Sequence, residues 1–98
     1  MIKKQMIIKN KTGLHARPAA VFVEIADRFE SEIDLTFEGV TVNAKSIIGV
    51  LSLGIGRGDM ITLTIDGPDE KEAMAAMEEI VENKFGENGG FDENDPIR

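Results

Sequence analysis

The chain has 98 residues, 42% of them hydrophobic and 30% charged, and its 18 acidic residues against 11 basic ones give a net charge of −7. That length supports one hydrophobic core and one domain, and the acidic balance argues against nucleic acid as a partner. The absence of Cys excludes disulfides and thiolate metal sites and fits a reducing cytosol, while no apolar run approaches the ~18 residues of a membrane span, so no membrane insertion is expected.

Charge is unevenly placed. Lys3, Lys4, Lys9, Lys11 and Arg17 all precede the first acid, Glu24. Two readings of this block stay open: a basic strand on an acidic protein, or a local positive field around a site that handles anions. The opening residues MIKKQMIIKN are too short and too polar for a signal peptide. Residues 2–8 read as a strand with imperfect alternation, broken by Thr12 and Gly13. From 16 to 29 the spacing of Ala19, Phe22, Val23, Ala26 and Phe29 predicts a helix, with Glu24 and Arg28 as an exposed i,i+4 pair. Ile33, Leu35 and Phe37 alternate with polar residues, as do Val40, Val42 and Ala44, and Glu38-Gly39 between them predicts a tight hairpin in which Gly supplies the positive φ.

A short helix is expected after Ser46, with Val50 and Leu53 facing the core. GIGRGD at 54–59 reads as a loop, and Ile61, Leu63 and Ile65 alternate as a fourth half-buried strand. The last helix is expected after Gly67-Pro68, with Asp69 as N-cap and Glu72 three residues on. Ala73, Met77, Ile80 and Val81 form its apolar face, and Gly86 is expected to end it. The remainder, 87–98, is an acidic Gly-rich tail, expected to be disordered. Neither Gly-rich stretch has the Gly-Lys-Ser/Thr of a phosphate-binding loop, so no nucleotide cofactor is expected.

Two segments carry chemistry. The first is GLHARPAA at 13–20, which holds the only His of the chain. His15 falls just before the helical pattern, and Pro18 lies in the first turn, where a missing N–H costs nothing. The N–H groups of that turn lack intrahelical partners and the helix dipole is positive there, so an anion on the ring would be well received. Arg17 offers a planar, permanently charged fork to phosphate oxygens. The arrangement suits a nucleophilic His that accepts a phosphoryl group; the alternative is a His that merely caps a helix. In the second segment, KSIIGVLSLG at 45–54, Ser46 is a good N-cap. Ile47, Ile48 and Leu51 would then form an exposed apolar patch of the kind that marks a partner surface, unless all of them are core.

Taken together, the two segments closely resemble the signature regions of the phosphocarrier family HPr of the phosphoenolpyruvate:sugar phosphotransferase system, the second matching its Gram-positive, Ser-regulated type. The resemblance covers residues 1–86. It implies an α+β open-faced β-sandwich in βαββαβα order, with a four-stranded antiparallel sheet covered on one face by three helices. It further implies a cytoplasmic, monomeric carrier rather than an enzyme, accepting a phosphoryl group from enzyme I at Nδ1 of His15 and passing it to IIA domains of sugar permeases. Arg17 would stabilise the phosphoryl group in transfer. Ser46 would be the target of HPr kinase/phosphorylase, and Ile47, Ile48 and Leu51 the docking patch. The alternative within the family is a regulatory paralogue, or a co-regulator that binds a catabolite repressor when Ser46 is phosphorylated. The family's co-regulator lacks the active His that this chain has.

Overall fold

The expected alternation becomes a sheet in the computed structural model, which describes residues 1–86; the tail assigned to 87–98 lies outside the described residues. Strands β1 (Ile2–Ile7), β2 (Glu32–Phe37), β3 (Val40–Asn43) and β4 (Met60–Asp66) form one sheet in the order β1-β4-β2-β3. Every neighbouring pair is antiparallel. Helices α1 (Ala16–Ala26), α2 (Ile47–Ser52) and α3 (Glu70–Glu82) cover one face. The result is the open-faced βαββαβα arrangement expected.

Period-two alternation decides which face is covered. Ile33 and Leu35 of β2 meet Ile65 and Leu63 of β4 in register, and all four are buried. Phe22 of α1, Val50 of α2 and Met77 and Val81 of α3 close over them, fully buried. The opposite face carries Gln5, Thr36, Thr62 and Thr64 and stays open to solvent or half-exposed. The hairpin pairs Phe37 with Val40 across a two-residue turn. Both turn residues take positive φ, Glu38 at 52° and Gly39 at 83°, the pattern whose twist matches the flanking strands.

Two boundaries differ from expectation. Helix α1 stops at Ala26 rather than 29, because the Arg28 and Phe29 N–H groups donate to Ile25 and Ala26 and tighten the chain into a turn. The Phe29 carbonyl is then capped by the Lys45 ammonium at 2.6 Å. Helix α3 ends at Glu82, before Gly86. Lys84 and Phe85 adopt left-handed φ of 61° and 56°, and Phe85 turns back onto Phe22 with ring centroids 6.3 Å apart. Leu53, at the C-cap of α2, packs half-buried against the core, the side expected of it.

Asp69 occupies the N-cap position of α3, but its carboxylate does not cap the helix. It accepts instead from the Glu30 N–H at 2.9 Å, the Ser31 N–H at 3.0 Å and the Ser31 hydroxyl. Nor does Glu72 close a capping box: the Gly67 N–H donates to Glu70 at 3.1 Å. The Ser31 hydroxyl first, and then the Glu30 N–H, hold the Asp69 carboxyl below the ordinary carboxylate range. A carboxyl whose folded pKa lies below its unfolded one stabilises the fold above the unfolded value, and that contribution is lost as pH falls through the folded one. Melting temperature should therefore drop on acidification from the ordinary carboxylate range downward. Glu70, held low by the Gly67 N–H and the N-terminal amine, adds to the same limb. Asp69→Asn should melt earlier at neutral pH and show a shallower acid limb. An acid limb as steep as that of wild type would remove Asp69 from this linkage.

Candidate functional site

His15 is placed by contacts on both sides of it. As β1 ends, the Ile8 N–H donates to the Asp59 carbonyl at 2.9 Å and the Gly58 N–H donates back to Ile8 at 2.8 Å. Next comes a turn, Asn10 to Gly13, in which the Gly13 N–H donates to the Asn10 carbonyl at 3.3 Å. Asn10 is fully buried, and its amide donates to the Gly13 carbonyl at 2.7 Å. Gly13 has φ +68° and presses on the other loop: a Cβ there would lie 2.5 Å from both the Gly56 Cα and the Ile55 oxygen. Leu14 is buried as a plug, and its N–H donates to Ile55 at 3.0 Å. The sequence pattern reads 54–59 as a loop and does not single out Asn10; in the structure both fix the backbone of His15.

His15 is then the N-cap residue of α1, extended at φ −78° and ψ −169°. Its carbonyl accepts the first helical bond, from Ala19 at 2.9 Å. Its ring makes no capping hydrogen bond and is exposed. A His serving only as a cap would turn its ring onto the helix N–H groups, and this one does not. Pro18 is buried at the third helical position, where no intrahelical acceptor is missed. Arg17 stands exposed between them.

Ser46 is the N-cap of α2, its Oγ accepting from the Gly49 N–H at 3.1 Å. On that helix Val50 is fully buried, while Ile47, Ile48 and Leu51 are 38%, 76% and 40% exposed. The open alternative, that all of them are core, is thereby settled in favour of a surface patch. Leu51 also lines an open depression with Leu14, His15, Ala16, Gly54, Ile55 and Gly56. The two sequence segments thus meet at one depression, which both His15 and Leu51 of the apolar patch line.

The basic block divides. Lys4 pairs with Glu78 at 3.0 Å and Lys9 with Glu82 at 2.7 Å, so both are engaged along α3. Lys11 and Arg17 flank His15 in sequence and are exposed. Among the described residues no three His, Asp or Glu side chains converge in a metal-binding group, and no helix is long and apolar enough to cross a membrane.

Comparison with known proteins gives consistent findings. The family model described as PTS HPr component phosphorylation site matches residues 2–83. The HPr-like protein Crh of Halalkalibacterium halodurans is 54% identical over 84 residues, 86% of this chain and 100% of that protein. The phosphocarrier protein HPr of Treponema pallidum is 45% identical over 87 residues, covering 89% and 99%. Among solved structures, HPr-C-His of Thermoanaerobacter tengcongensis superposes with a TM-score of 0.88 at 49% identity, covering 90% and 99%. A structure described as an HPr dimer from the same organism superposes with a TM-score of 0.72 at 49% identity, covering 89% and 100%.

Proposed function

Because the chain belongs to the HPr family of phosphotransferase-system phosphocarriers, we propose that it accepts a phosphoryl group from phospho-enzyme I on Nδ1 of His15 and passes it to IIA domains of sugar permeases in the cytoplasm. The observation that carries this reading is the His15 ring, exposed and free of a capping role at the N-terminus of α1. The ring nitrogen's lone pair attacks phosphorus as the bond to the donor breaks, and the reverse exchange delivers the group to the acceptor. The helix end and the Arg17 guanidinium, which offers a planar fork, favour the phosphoryl oxygens. The apolar patch of Ile47, Ile48 and Leu51 supplies the partner contact, and Leu51 brings it to the edge of the depression beside His15. One copy suffices for the cycle, since every group named belongs to one chain. Residues 1–86 are the carrier unit. Incubation with phosphoenolpyruvate and enzyme I tests the reading: the protein should gain one phosphoryl group, and a protein that gains none contradicts it.

Ser46 is the proposed regulatory site, phosphorylated from ATP by HPr kinase/phosphorylase. A second reading, co-regulation of a catabolite repressor through phospho-Ser46, is favoured by the 54% identity to an HPr-like Crh. The two roles are compatible in one chain. Because the Ser46 Oγ caps α2 and the apolar patch starts at the next residue, cap and charge can be separated. Ser46→Asp keeps a good cap and adds a negative charge beside the patch. It should melt near wild type and accept the phosphoryl group from enzyme I more slowly. Ser46→Ala should lose about 1 kcal/mol of stability and transfer normally. Wild-type transfer by Ser46→Asp would reduce Ser46 to a cap. Unfolding of Ser46→Asp would make the block structural.

A further inference from the structure

A single peptide group carries the hydrogen bond between the two loops at His15. The Ile55 carbonyl accepts from the Leu14 N–H at 3.0 Å, and the Gly56 N–H donates to the Asp59 carboxylate at 2.7 Å. That carbonyl and that N–H belong to the same planar trans peptide. Their bonds leave it in opposite directions, and rotating one rotates the other. Leu14 is buried, and the next residue is His15. Asp59 is itself fixed just before β4: its N–H donates to the Gly56 carbonyl at 3.1 Å, and its carbonyl accepts from the Ile8 N–H at 2.9 Å.

The carboxylate is the part of this chain of contacts that backbone alone does not supply. No side chain at Gly56 resists rotation of the peptide before it. A Cβ added there would meet only the Asp59 carboxylate, at 3.8 Å, so nothing else packs on that side. A hydrogen bond to an ionised acceptor is roughly twice as strong as a neutral one. By polarising the peptide it also strengthens the acceptor at the other end. The Asp59 carboxylate thus aims the Ile55 carbonyl at Leu14 and makes it the better partner.

We infer that Asp59 is a positioning residue for phosphoryl transfer, acting on His15 through the Ile55–Gly56 peptide and Leu14. The inference rests on the carrier reading and adds a residue to it. The His15 ring is exposed and makes no capping bond, so its placement depends on the backbone that carries it. The depression is lined by His15, Ile55 and Gly56 but not by Asp59, which puts the carboxylate behind the site rather than in it. The competing role is a direct action of its charge on the imidazole. That role needs only the charge, whereas the relay needs an oxygen that accepts from Gly56.

The test uses the full chain with Asp59→Ala, Asp59→Asn and, as a remote control, Gly39→Ala. Amide hydrogen exchange at Leu14 reads the relay without any partner. The kcat and KM for acceptance from phospho-enzyme I read its consequence. In Asp59→Ala, exchange at Leu14 should quicken about tenfold, and kcat should fall about tenfold. KM should stay as in wild type, because Ile47, Ile48 and Leu51 are untouched. Asp59→Asn keeps an oxygen acceptor and should restore most of both losses. Gly39→Ala should keep kcat near wild type; equal slowing there would assign the effect to lost stability and overturn the inference. Asp59→Asn behaving like Asp59→Ala would assign it to charge and overturn the relay. So would wild-type exchange at Leu14 or wild-type kcat in Asp59→Ala. A raised KM with unchanged kcat would place Asp59 in docking and overturn the relay as well. In each of these cases the carrier reading stands. A wild-type protein that accepts no phosphoryl group overturns the carrier reading and the role built on it, whatever the exchange at Leu14 shows.

Discussion

His15→Ala should abolish phosphoryl acceptance from phospho-enzyme I and leave the melting temperature near that of wild type. Both halves follow from the same geometry. The chain has one His, so the substitution removes every imidazole nitrogen and no neighbour can substitute for the nucleophile. The ring is exposed and does not cap α1, and the backbone carbonyl that accepts from Ala19 is kept by any residue. Exposed substitutions away from caps and core stay within about 0.5 kcal/mol. Gel mobility or mass after incubation with phosphoenolpyruvate and enzyme I measures the first half, and thermal melting the second. Residual phosphorylation of the variant would move the acceptor elsewhere. A large loss of stability would mean that His15 has a structural role its contacts do not show.

The second large effect is expected at Gly13, a residue with no side chain to react. Gly13→Ala must hold a Cβ at φ +68° and place it 2.5 Å from the backbone of Gly56 and Ile55. Left-handed φ costs an Ala about 1–2 kcal/mol. Displacing backbone, which cannot rotate away, adds about 1–3 kcal/mol more. Gly39 separates the two terms, since its φ is +83° and nothing lies within 4 Å of an added Cβ. Gly39→Ala should therefore show the conformational cost alone and transfer normally. Gly13→Ala should melt well below it and transfer slowly, because the contact that would be pushed apart also carries the Leu14 bond beside His15. Equal melting temperatures and equal transfer in the two variants would mean that the loop contact does not position the site.

What was legible in the chain follows the range over which each interaction acts. The strands of Ile33, Leu35 and Phe37 and of Ile61, Leu63 and Ile65 declare themselves through period two, and Glu38-Gly39 through turn chemistry. Pro18 and the helical spacing after it put His15 at a helix start. All of these are local patterns. The neighbours of His15 are not, because Ile55 and Gly56 lie some forty residues along the chain and no periodicity links two loops. Asn10 had a local signal, since an Asn three residues before a Gly fits a turn closed by its side chain. Its complete burial has none. Asp69 shows the opposite failure: its position satisfied the pattern of an N-cap, and a distant Ser31 took the carboxylate instead. The end of α3 misled for a third reason, because Lys84 and Phe85 take φ values that favour Gly, and only the burial of Phe85 against Phe22 repays them.

The carrier assignment is tested most directly by the bond that the phosphoryl group makes. The chain has a single His, so labelling histidine with nitrogen-15 marks only His15. After phosphorylation by phosphoenolpyruvate and enzyme I, the phosphorus resonance should show coupling to Nδ1. It should disappear in acid and persist in base, as a P–N bond does. A phosphorus signal without nitrogen coupling that survives acid would be a phosphate ester and would contradict His15 as the acceptor; coupling to Nε2 would contradict the assigned ring atom.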